Sequence, residues 1–140
     1  MNFPSKLKFL DLSFNYLTTI DSEILNFSEL KTLYLHGNYI YQLEEVKKLS
    51  ELPNILTLTL HGNPLEQITG YRNYVLGIMF SKNQSLKKMD SVVVTRKEKE
   101  GCFVWNQILN QQKKSFPKLD TNKIKKPPMK EEDTKSSEKK

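Results

Sequence analysis

Three stretches of the chain repeat one order of apolar and polar positions. Each runs leucine or isoleucine, two residues, leucine, one residue, leucine, two residues, asparagine, one residue, leucine or isoleucine. The copies span Leu7 to Leu17, Leu30 to Ile40 and Ile55 to Leu65. In each Leu-x-Leu core, alternate side chains point to one side. Leu10/Leu12, Leu33/Leu35 and Leu58/Leu60 therefore face a common interior from three short strands. One such unit cannot bury its leucines alone, whereas stacked units can, with their strands paired in parallel. The asparagines Asn15, Asn38 and Asn63 lie 23 and 25 residues apart, where the chain turns inward after each strand. A buried turn leaves backbone groups without water, and an amide side chain can both donate and accept. The three asparagines are expected to form a structural ladder between neighbouring turns.

That period and frame are those of a leucine-rich repeat. The fold class is α/β: a short right-handed leucine-rich-repeat solenoid, parallel strands on its concave face, closed by a C-terminal helical cap. Residues 1–68 carry the three repeats, 69–112 the cap and a following helix, and 113–140 a disordered Lys-rich tail. In the first convex segment Ile20, Ile24, Leu25 and Phe27 point inward, with Asp21 or Ser22 capping a helical turn. In the second, Leu43, Val46, Leu49 and Leu52 recur every three residues, which suits a short helix ended by Pro53. The stretch 70–80 reads as a helix with Tyr71, Val75, Ile78 and Met79 on its apolar face. Leu86 to Asp90 is a degenerate repeat without its asparagine, and Val92, Val93 and Val94 close the stack behind it. Thr95 and Glu98 form a capping box that opens a last helix with Cys102, Trp105, Ile108 and Leu109 as its stripe. Gly101 weakens that helix by about 1 kcal/mol relative to alanine.

The formal charge of +6 is unevenly spread. Residues 1–112 hold twelve Lys or Arg against eleven Asp or Glu, while residues 113–140 hold ten Lys against five acids. The folded part is nearly neutral, which disfavours a nucleic-acid surface there. The single cysteine, Cys102, fits a reducing compartment. No apolar run approaches the ~18 residues that cross a membrane, and no apolar signal core follows Met1. A cytoplasmic protein with no membrane contact is expected.

The residues between the leucines line the concave face. Asp11, Tyr34, Thr59 and Asp90 form one row, Phe9, Thr32, Thr57 and Lys88 a second, and Ser13, His36 and His61 a third. Neighbouring strands are about 4.8 Å apart, so His36 and His61 stand side by side. Zinc needs at least three protein ligands, and neither a cysteine nor a third histidine lies nearby. No metal site, cofactor or catalytic residue is assigned. No Gly-rich phosphate loop, His-Glu-x-x-His or Cys-x-x-Cys occurs, and Glu44-Glu45 reads as a polar helix face. No enzyme activity is expected. The aromatics Phe9, Phe14, Tyr16, Tyr34, Tyr39 and Tyr41 suit a rigid binding face better. Phe9, Asp11, Tyr34, His36, Thr59 and His61 are the candidate partner-binding residues.

Several runs carry a family resemblance: Asp11 to Asn15, Leu33 to Asn38, Leu58 to Pro64 and Gly70 to Leu76. Tyr71-Arg72, Val75, Leu86, Met89-Asp90, Val94 and Val104-Trp105 match a repeat cap. Over residues 7 to 115 the chain resembles the phosphatase-regulator-like leucine-rich repeat class with a C-terminal cap. The resemblance implies a non-catalytic, cytoplasmic binding scaffold, of a class that recurs in cilia, axonemes and cytoskeletal complexes. Relatives carry further chain upstream, which puts the N-terminal cap in doubt. Leu7, Leu10, Leu12, Leu17 and Ile20 would then form an uncovered apolar edge. Self-association, a partner at that edge or low solubility is expected, and a clean monomer in concentrated sedimentation runs would count against it. A second reading, a nucleic-acid-associated (ribonucleoprotein) adaptor, requires a basic folded surface and a steep salt dependence.

Overall fold

The Leu-x-Leu cores form three strands of three residues each: β1 (Phe9–Asp11), β2 (Thr32–Tyr34) and β3 (Thr57–Thr59). The structure, a computed structural model, describes residues 6–82, 85–102, 104, 116–124 and 126–128. The strands run parallel and in register, with Leu10 beside Leu33 and Leu33 beside Leu58. A fourth strand, β4 (Lys88–Met89), continues the series with Met89 opposite Leu58. The chain then reverses through Asp90 and Ser91, whose φ angles are 52° and 68°. That left-handed turn lets β5 (Val92–Val93) pair antiparallel with β4. This is an α/β leucine-rich-repeat fold, with sheet order following chain order.

The return segments thicken along the chain. The first is a 3₁₀ turn, Ser22–Asn26, capped by Asp21, which accepts from the Glu23 N–H at 3.0 Å. The second is helix α1 (Glu44–Leu49), which buries Val46 and Leu49, with Leu43 just before it and Leu52 just after it also buried. The third is a 3₁₀ turn, Pro64–Gln67, followed by helix α2 (Tyr71–Phe80). Helix α2 buries Leu76, Gly77 and Phe80 as well as the expected Tyr71, Val75, Ile78 and Met79. Its second half is therefore embedded in the protein, and the helix packs against α1 and the preceding 3₁₀ turn.

Leu30, Leu33, Leu35, Ile40, Ile55, Leu58, Leu60 and Leu65 are fully buried. Their counterparts in the first repeat, Leu7, Leu10, Leu12 and Leu17, are only partly buried. Ile20 departs from the exposed edge expected of it. It is 3% exposed, and its N–H donates to Glu45 Oε1 at 2.8 Å. Glu45 in turn is no polar helix face. It is buried, and Lys48 ties it to the first repeat by donating to Glu45 Oε1 and to the Ile20 carbonyl, both at 2.8 Å.

At the far end, residues 96–102 are helical, and the turn through Gly101 is unbroken. The Glu98 N–H donates to Thr95 Oγ1 and the Thr95 N–H to Glu98 Oε1, both at 3.1 Å, which is the reciprocal capping box. Arg72 fastens this helix to α2 and the sheet, reaching Glu98 Oε2 at 2.8 Å and the Met89 carbonyl at 3.0 Å. That pair raises the arginine pKa and lowers the Glu98 carboxyl pKa through its hydrogen bond. Cys102 is buried, which pushes its thiol pKa up, whereas Trp105, Ile108 and Leu109 lie outside the described residues. Val94 is buried, but Val92 and Val93 are exposed, β5 being the edge strand of the sheet among the described residues.

Part of the Lys-rich tail, residues 116–124 and 126–128, is described by the structure. Phe116 and Leu119 are half-buried against the core, and the Phe116 ring meets Tyr74 edge-on at 6.5 Å. A 3₁₀ turn, Thr121–Lys123, follows, capped by Asp120. Ile124 and Pro127-Pro128 then line a cavity of about 350 Å³ with Thr18, Tyr39 and Tyr41. Three apolar side chains among many lysines suffice to lay this segment back across the repeats. Among the described residues, no helix is long and apolar enough to cross a membrane.

Candidate functional site

The concave face is set by strand register. Phe9, Thr32, Thr57 and Lys88 stand in one row, and Asp11, Tyr34 and Thr59 in the next. One position further on, the rings of His36 and His61 stack with centroids 4.7 Å apart and planes 7° from parallel. That separation is close to the strand spacing, so the backbone ladder dictates the stack. Tyr34 leans on His36 at 5.6 Å, and Phe9 meets Tyr34 edge-on at 5.2 Å. Phe14 closes the other side, edge-on to His36 at 5.2 Å. Tyr16 and Tyr39 stack beyond it at 6.2 Å. The result is a band of rings across the first three strands, with Phe9, Phe14 and Tyr16 exposed.

Thr59 belongs to the band by register but not by exposure, being 4% accessible. Its hydroxyl accepts from the Leu35 N–H at 3.1 Å and lies 2.7 Å from His36 Nδ1. It holds the imidazole in place and offers little to a ligand. The turn glycine sets Phe14 in a similar way. Gly37 has φ +75°, and a Cβ there would fall 2.5 Å from the Phe14 ring, which lies across it.

Beneath the band, two asparagines bridge turns. Asn38 Nδ2 donates to Leu12 O and Leu35 O, while its Oδ1 accepts from the N–H groups of Asn15 and Leu17. Asn63 repeats this one coil later, donating to Leu35 O and Leu60 O and accepting from the Ile40 N–H. Asn15 is exposed, and its side-chain amide donates within its own turn, to Leu12 O and Ser13 O, among the described residues. Asp90 takes over at the last turn. Its Oδ1 accepts from the Leu60 and His61 N–H groups at 2.6 and 3.1 Å, which fixes the backbone under the second histidine.

Asp11 lies in the exposed part of the band. Its Oδ1 accepts from the Ser13 N–H at 2.9 Å and from Ser13 Oγ at 2.5 Å. These hydrogen bonds hold its carboxyl below the ordinary aspartate range, with a smaller contribution from His36. Among the described residues, no group of three or more His, Cys, Asp or Glu side chains is placed to hold a metal ion. The geometry offers rings, hydroxyls and one open carboxylate on a rigid sheet.

Parallel in-register strands, bridging asparagines and a capped C-terminal end define a leucine-rich repeat protein. Residues 5–65 match the family model described as leucine rich repeat. The chain is a homologue of leucine-rich repeat-containing protein 51. It is 41% identical to the protein of that name from Homo sapiens over 121 residues, covering 86% of this chain and 61% of that protein. With the Mus musculus protein the identity is 43% over 120 residues, covering 86% and 60%. The chain thus spans about three-fifths of the length of these relatives. Among solved structures it is similar to the crystal structure of the Drosophila melanogaster SNF/U2A' complex. The TM-score is 0.67 at 20% identity, over 80% of this chain and 67% of that one. At that identity the likeness is one of fold.

Proposed function

We propose that this chain is a non-catalytic protein–protein interaction scaffold that binds through the concave face and edges of its solenoid. The observation that carries this reading is the ring band of Phe9, Tyr34, His36, His61 and Phe14, fixed on a rigid sheet, with Phe9 and Phe14 exposed and the other three half-buried. Rings pre-set in this way are ordered before binding, so less side-chain freedom is lost on contact. The family resemblance favours a cytoplasmic setting and a ciliary, axonemal or cytoskeletal complex. The half-covered leucines of the first repeat favour a further contact at that edge, with a partner or a second copy.

Proximity labelling in living cells tests the reading. The full chain and a Tyr34→Ala/His36→Ala variant are compared at equal abundance. Loss of a defined set of labelled proteins from the variant supports the concave face as the contact. Identical profiles from the two chains would refute it.

A further inference from the structure

We propose that Asp11, framed by Phe9, Tyr34 and Phe14, is the docking point for an arginine side chain of the protein partner. This rests on the concave-face reading above and adds the chemistry of what is recognised.

The face carries two carboxylates of different status. Asp90 is fully engaged, with Oδ1 on two backbone N–H groups and Oδ2 accepting from the Tyr71 hydroxyl at 2.6 Å. Asp11 is half engaged. Ser13 takes Oδ1 from two directions, and Oδ2 accepts no hydrogen bond among the described residues. The Ser13 contacts fix the plane of the carboxylate, so its second oxygen is presented in a set direction. No described lysine or arginine pairs with it. Lys88, the cation in the outward rows, stands three strands away, which is about 14 Å at ordinary strand spacing.

The neighbours decide which cation fits. Phe9 precedes Asp11 by two residues on the same face and is 53% exposed, while Tyr34 stands opposite Asp11 in the register. Phe14, 77% exposed, lies just past the strand end. A guanidinium is flat and weakly hydrated. It can donate to a carboxylate in its plane and lay its face on a ring. An ammonium is a compact, strongly hydrated charge and gains less from the rings. An acidic or purely apolar partner would leave the Asp11 oxygen covered and without a donor, which is costly.

The test is an NMR titration of the full chain with Nα-acetyl-argininamide, with the citrulline analogue as its uncharged match. Amide shifts are expected at Phe9, Asp11, Ser13, Tyr34 and His36. Binding should weaken by about fivefold with citrulline, the upper end for an exposed pair. Asp11→Asn, which can still accept from Ser13, should weaken arginine by a similar factor. Equal binding of arginine and citrulline, shifts mapping elsewhere, or an Asp11→Asn protein binding arginine as well as the parent would overturn the proposal. The citrulline arm uses the unaltered chain, so it decides even if the variant misfolds. If the arginine effect is absent while Tyr34→Ala/His36→Ala still loses partners in cells, the charge assignment alone fails.

Discussion

Tyr71 donates its hydroxyl to Asp90 Oδ2 at 2.6 Å, joining the first turn of α2 to the strand that ends the repeat sheet. Asp90 simultaneously caps the turn after β3, so one carboxylate fastens cap, sheet and His61 backbone together. Asp90→Ala leaves two N–H groups and one hydroxyl without their acceptor. It is expected to cost about 3 kcal/mol in urea unfolding, against about 1 kcal/mol for Tyr71→Phe. Burial first, and then the Asp90 charge, push the Tyr71 phenol pKa above its ordinary 10.0. Above about pH 10 the unfolded chain therefore loses that proton while the folded chain keeps it. Stability should fall as pH rises beyond 10, and Tyr71→Phe should remove that part of the fall.

The two kinds of ladder position should separate cleanly. Asn63 makes three hydrogen bonds that cross or close buried turns. Its replacement by alanine strands two carbonyls and one N–H, and about 3 kcal/mol or more is expected to be lost. Asn15 sits exposed in the first repeat, and Asn15→Ala should cost about 1 kcal/mol or less. Equal losses in paired urea titrations would contradict the asymmetry of the stack.

Two glycines should respond in opposite directions to alanine. Gly37 has φ +75° and the Phe14 ring against it, so Gly37→Ala is expected to cost at least about 1–2 kcal/mol and to displace that ring. Gly101 is helical and exposed, with nothing within 4 Å of an added Cβ. Gly101→Ala should stabilise by up to about 1 kcal/mol. Thermal unfolding of the two variants checks both signs.

Phe116 is the anchor of the segment that returns over the repeats, with Tyr74 edge-on and Lys47 Nζ 5.9 Å above its ring. Phe116→Ala removes the ring contact and the half-buried surface, a loss of about 1–2 kcal/mol. Cleavage between residues 116 and 128 by trypsin under native conditions should speed up severalfold. Unchanged cleavage would show that the segment is held elsewhere.

The leucine frame made most of the fold legible, because a period of side chains that must face inward leaves few alternatives. The capping box at Thr95 and Glu98 was equally plain, since both of its partners are local in sequence. What escaped the reading depends on which coil lies next to which. Glu45 looks like a solvated helix residue until the adjacent repeat brings the Ile20 N–H to its carboxylate. Thr59 shares a row with Asp11 and Tyr34 by alternation, yet the neighbouring His36 covers it. The segment after residue 115 has a solvated composition on average, and its few apolar anchors matter only because Tyr74 is there to receive Phe116. In the band, the stacking of His36 and His61 follows from register alone. The role of Gly37 under Phe14 needed coordinates, because it depends on a positive φ in each of two turns.

Site-specific photo-crosslinking puts the concave face to the most direct trial. Benzoylphenylalanine is placed at Tyr34 or Thr57 on that face, or at Glu23, exposed on the first return segment. In cells, Tyr34 and Thr57 should yield the same protein adduct, and Glu23 should yield none of it. An adduct formed from Glu23 but absent from Tyr34 and Thr57 would place the contact on the convex side and contradict the assignment.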